Sequence, residues 1–198
     1  MPVKTALNLL EKALAETLHS YWRVKAANAA MSVFSGTEYW TRLEVEFANV
    51  PSSSEVPAPQ QVSFEVLRAE IGDYFNNGRA SQDYFLAVIA HFERFISTVL
   101  QANQKDSSGT LGQLTTRAEQ YRGLTILDKD VAFVAEIRER RNSLIHNHGT
   151  VSPRYLQAAN NPTVASIFGG KSIGDILNIS DEYLANAVDS LIRYARLF

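Results

Sequence analysis

The chain has 198 residues and a mass of 22.0 kDa, with 45% hydrophobic and 20% charged residues. That length and mixture exclude a disordered or low-complexity chain and supply enough apolar bulk for one domain without staples. Cysteine is absent, so disulfides, thiolate metal sites and a cysteine nucleophile are excluded, and the net charge of -2 gives no overall field for nucleic acid.

Leu7, Leu10, Leu14, Leu18 and Tyr21 recur at 3–4 spacing and predict a helix ending near Ser35-Gly36. Glu11, Lys12 and Glu16 interrupt the leucines, so no signal-peptide run is read there, and no stretch reaches the ~18 consecutive apolar residues of a membrane span. With no cysteine, the expected location is the cytoplasm, with no membrane partner. Residues 37–50 fit a helix through Trp40, Leu43, Phe47 and Val50, although residues 42–47 alternate like a strand; helix is the expectation. Residues 51–61, with three prolines and three serines, read as a surface loop. Phe64, Leu67, Ile71, Tyr74 and Phe75 give the next helix, stopped by Asn76-Asn77-Gly78. Ser81 is the expected cap of a long helix reaching about Asn103. A short helix follows from Leu111 to Gly123, and Asp128 or Asp130 opens another that stops near Gly149. Pro153 and Asn160-Asn161-Pro162 read as a long connection. Ile173, Ile176 and Ile179 read as a turn or short extended piece, and Ser180 caps a last amphipathic helix. The expectation is one all-α domain, a helical bundle in which residues 1–80 extend a core of residues 81–198.

One helix breaks its own pattern. On a wheel advancing about 100° per residue, Val131, Phe133, Val134, Ile137, Leu144 and Ile145 form an apolar arc, with Arg141 in its middle, Arg138 at its edge and Arg140 outside. An arginine centred on an apolar face is costly unless its guanidinium is paired. Two readings stand: a snorkelling or ion-paired side chain, or a cation aimed into a phosphate-binding cleft. Glu93 sits at the border of the apolar face carrying Phe92, Phe95 and Ile96, and is the expected partner of Arg141. Asn142 and His146 lie about 40° apart on the wheel and point the same way, whereas Arg141 and His146 lie about 140° apart. His148 falls near Arg141 if the helix persists that far.

The run Arg141-Asn142-Ser143-Leu144-Ile145-His146 matches the R-[polar]-x3-H signature of the HEPN superfamily, the all-α higher eukaryote and prokaryote nucleotide-binding domains. The wider phrase RNSLIHNHGTVSPRYL resembles stand-alone HEPN domains of bacterial stress response, toxin–antitoxin systems and phage defence, and Phe92-Glu93 is similar to their acid-bearing helix. The resemblance covers residues 83–198. It implies a helical bundle, a homodimer whose signature helices meet, and metal-independent cleavage of RNA, with no cofactor and no metal. It also implies an antitoxin or other defence protein as partner. Members silenced by a nucleotidyltransferase often carry tyrosine two residues after the signature histidine; here that position is His148, which speaks against that pairing.

Cleavage without metal uses the RNA 2′-OH as nucleophile. It needs a base, an acid for the 5′ oxygen and a cation for the phosphorane. Histidine suits the first two roles and arginine the third. The catalytic set expected is therefore Arg141, Asn142 and His146, supported by Glu93 and His148. Two rival readings remain: a non-catalytic module binding a nucleotide, RNA or protein, and a scaffold in which Arg141 and Glu93 are a buried pair and His146 a cap.

Overall fold

The computed structural model describes residues 2–34, 44–46 and 61–198. Among them are eight helices, which take up well over half of the chain, and one pair of three-residue strands. The chain divides into two compact units, residues 1–19 with 81–198, and residues 20–80. Residues 1–19 of the expected extension therefore belong to the same unit as the core, and residues 20–80 make up the other unit.

In the smaller unit, helix α1 (Val3–Phe34) contributes its second half, followed by β1 (Glu44–Glu46), β2 (Gln61–Ser63) and α2 (Phe64–Asn76). Residues 44–46 correct the helix expected over 37–50. They form a strand antiparallel to 61–63, with Val45 opposite Val62, so the alternation outweighed the helical spacing. The remainder of 37–50 and residues 51–60 of the expected loop lie outside the described residues. Ser63 caps α2 by accepting the Val66 N–H, and Tyr21 packs against Phe75 at 6.0 Å between ring centres.

The larger unit holds the first half of α1, then α3 (Arg79–Ala102) from Ser81 onward, α4 (Leu111–Arg122), α5 (Lys129–His146), α6 (Pro153–Ala159), α7 (Ala165–Phe168) and α8 (Asp181–Ala195). Leu10 and Leu14 of α1 are buried, as the leucine spacing predicts. α3 begins two residues before Ser81, the expected cap; the Asn77 carboxamide instead accepts the Arg79 N–H. By length and composition α3 is apolar enough to cross a membrane. Here Phe85, Val88, Ile89, Phe92, Ile96 and Leu100 are buried, and Phe85 and Phe92 stack on Tyr183 and Tyr194 of α8. α4 carries a capping box between Thr110 and Gln113 and ends on Gly123, whose φ of 69° suits a residue without a Cβ. The expected long connection at 153–162 contains α6, opened by Ser152 as cap and Pro153 in the first turn.

α5 packs against both α6 and α8, and the wheel misjudged which of its arginines is inside. Residues 131–137 are buried on every side, so their apolar side chains define no single face. In the second half the core side carries Arg140 and Ser143, in line with Glu136, while Ile145 is exposed. Arg140 is thus the buried arginine. Its Nε donates to Glu136 Oε1 at 2.8 Å, its Nη1 to the Asn178 carbonyl at 3.0 Å, and its Nη2 to the Tyr155 hydroxyl at 2.7 Å. Tyr183 OH donates to Glu136 Oε2 at 2.7 Å, and the guanidinium lies 4.0 Å from the Tyr183 ring centre. Burial opposes the charge on Arg140, but Tyr183, Glu136 and Tyr155 more than offset it and hold its proton more firmly than usual. Burial, then the Glu136 carboxylate, push the Tyr183 and Tyr155 hydroxyls above the ordinary tyrosine range. The one network joins α5, α6, α8 and the segment before α8.

Losing one partner of a buried pair costs about 3–5 kcal/mol, so Arg140→Ala should destabilise the chain by that much. Tyr183→Phe, which removes a single hydrogen bond to a charged group, should cost about 1.5–3 kcal/mol. Urea unfolding followed by circular dichroism measures both, and an Arg140→Ala protein as stable as the parent would remove the network from this role.

Candidate functional site

Beside this network lies a groove of about 680 Å³ between the start of α4, the second half of α5 and the start of α6. α5 contributes Arg138, Glu139, Arg141, Asn142 and His146. α4 and its approach contribute Thr110, Leu111, Gly112, Gln113, Thr116 and Arg117, and Ser152 and Arg154 close the far side. Four arginines therefore face one space in which Glu139 is the single acid.

Arg141, Asn142 and His146 all line this groove despite the angular separation between Arg141 and His146. Arg141 Nη1 donates to Asn142 Oδ1 at 3.2 Å. The Asn142 Nδ2 reaches Glu139 Oε2 at 3.5 Å. His146 occupies the last turn of α5 and is exposed.

The four arginines differ in how far they are already engaged. Arg117 is paired with Asp106 at 3.1 Å and donates to the Asp106 and Ser108 carbonyls. Hydrogen bonds from Ser108, ahead of the Arg117 charge, hold the Asp106 carboxyl below its usual range. Arg138 is shared between Glu139 at 3.2 Å and Thr115 Oγ1 at 3.2 Å. Its stem crosses the first turn of α4 at Gly112, where an added Cβ would stand 3.4 Å from Arg138 Cδ. Arg141 and Arg154 form no ion pair among the described residues. Their charge is available to an anion entering the groove.

Glu93 and His148 do not join this site. Glu93 is half-buried on α3, makes no hydrogen bond or ion pair among the described residues, and does not line the groove. The expected pair with Arg141 is not formed, because the arginine that needed an acid is Arg140 and its acid is Glu136, one turn earlier on the same helix. α5 ends at His146; His148 follows in a left-handed turn at φ 51° and is exposed outside the groove lining. Gly149, at φ 77°, then sends the chain to pair Thr150 with Ile176. Sequence reasoning missed Arg117 and Arg154. The Ser152-Pro153 dipeptide, a helix-start signal, would have set Arg154 on a helix; nothing local marks Arg117.

No cluster of three or more His, Asp or Glu able to hold a metal occurs among the described residues. The site is an open, cation-rich groove lined by one imidazole and three carboxamides, those of Gln113, Asn142 and Asn147. The chain matches no protein-family model, no curated protein and no solved structure.

An anion that binds the folded groove stabilises it by mass action. Tripolyphosphate should therefore raise the melting temperature of the parent, and Arg141→Ala with Arg154→Ala should remove that shift. Differential scanning fluorimetry reads it, and an equal shift in the double variant would place the anion elsewhere.

Proposed function

We propose that the protein is a metal-independent endoribonuclease of the HEPN type, acting in the cytoplasm in stress response or phage defence. The observation that carries this reading is that Arg141, Asn142 and His146 line one cation-rich groove. In the proposed reaction an imidazole takes the proton from the RNA 2′-OH. The freed O2′ attacks the adjacent phosphorus while Arg141 neutralises the charge that builds on the phosphoryl oxygens. The P–O5′ bond breaks, and the departing oxygen takes a proton from a second acid. The products are a 2′,3′-cyclic phosphate and a 5′-hydroxyl. Asn142, already bonded to Arg141, orients the guanidinium. His146 is the one histidine among the groove residues, so the base and the acid are its two copies in a homodimer. An antitoxin or other defence protein is the partner class that would hold such an activity in check.

The test is incubation of the purified protein with total RNA in EDTA. The parent should cleave it and leave DNA intact. Removing a transition-state donor typically costs about 10²–10³ in rate, so Arg141→Ala and His146→Ala should each abolish visible cleavage. Undiminished cleavage by a folded His146→Ala protein would reject the mechanism. RNA binding without cleavage by the parent would instead make the chain a binding module.

A further inference from the structure

The groove does not stop at its arginines. A second cavity of about 500 Å³ adjoins it, and the two share Arg138, Glu139 and Arg154 as a common wall. We propose that this second cavity is a nucleobase subsite, which holds and reads the base of a nucleotide flanking the cleaved phosphate. The proposal rests on the RNA-cleaving reading of the first groove.

The lining has the two surfaces a flat base needs. Ile126, Ala135 and Ala158 supply an apolar floor, and Gln157 and Asn161 bring carboxamides to it. Single-stranded RNA is read by such splayed-out bases, through stacking and hydrogen bonds along their edges. Asn161 Oδ1 is occupied by the Thr163 N–H at 2.9 Å, which fixes the carboxamide and leaves its Nδ2 as a donor. Gln157 is exposed and its side chain makes no hydrogen bond among the described residues, so its donor and its acceptor are both open. A carboxamide with both groups open matches the N6 donor and N7 acceptor of adenine. Arg154, on the shared wall and without an acid partner, sits where the connecting phosphate must pass. Arg138 and His146 are eight residues apart on α5, about 12 Å along the helix axis. That separation suits a neighbouring nucleotide rather than the reacting one.

The experiment uses the full chain and 2′-O-methyl homo-oligomers of A, C, G and U, which cannot be cleaved by 2′-OH attack, with binding read by fluorescence anisotropy. The parent should bind the A oligomer about tenfold tighter than the U oligomer, the discrimination of one bidentate contact. Gln157→Ala, at an exposed position, should shrink the ratio to near unity. Asn161→Asp, which keeps the acceptor for Thr163 and removes the donor, should shrink it too. The readout is a ratio between bases, so an added charge or a general loss of affinity does not imitate the effect. Binding with no base preference, or a preference that survives both substitutions, overturns the subsite. No binding of any oligomer also overturns it; the RNA-cleaving reading survives if natural RNA is still cut, and falls with it if not.

Discussion

The larger unit is organised around one buried guanidinium. Arg140 is only 6% exposed and Glu136 is fully buried, and together with Tyr155 and Tyr183 they satisfy one another's polar atoms. A charge taken out of water is tolerated only when each hydrogen-bonding position finds a partner. Here the partners come from three helices and a backbone carbonyl. The geometry that neutralises the charge is therefore the geometry that fixes α5, α6 and α8 relative to one another. Apolar burial supplies the greater part of the driving force, as in any domain. The ion pair supplies direction, because a guanidinium accepts few arrangements of its neighbours.

Arg140 and Arg141 are consecutive and have opposite fates. A step of about 100° along the helix turns one into the core and the other into the groove. The first is spent on structure, and the second lines the groove with no acid paired to it among the described residues. Tyr155, which accepts from Arg140, follows Arg154 directly, so on α6 too a residue tied to the core adjoins a residue facing the groove. The α5 and α6 walls of the groove are in this way set by the clamp behind them.

The fold class was legible because α3 and α8 each bury one broad face, and a face with helical spacing is visible in a single sequence. α5 was misread for a definite reason. Its first half is enclosed on all sides, so its apolar residues carry no angular information, and Ile145 was counted inward although it is exposed. The decisive pair, Glu136 and Arg140, stood four residues apart in plain sight, but fell outside the supposed arc. Arg141, Asn142 and His146 were legible from their shared helix and their run of residue types. Arg117 was not, since tertiary packing alone brings α4 to the groove, and Arg154 was hidden by reading residues 153–162 as a connection. The strand at 44–46 showed in the alternation of residues 42–47, but the partner strand fifteen residues further on, which decides between strand and helix, is not visible from that stretch alone.

The clamp also bears on how this chain can change over generations. Glu136, Arg140, Tyr155 and Tyr183 form a closed set, so replacing any one alone leaves a buried polar or charged atom stranded. Such positions can drift only together, through intermediates that fold poorly. Gln157 and Arg154 are exposed and engaged in nothing that holds the fold. Lineages descending from this chain are therefore free to retune what the groove and its neighbouring cavity accept, one substitution at a time, while the frame behind them stays locked.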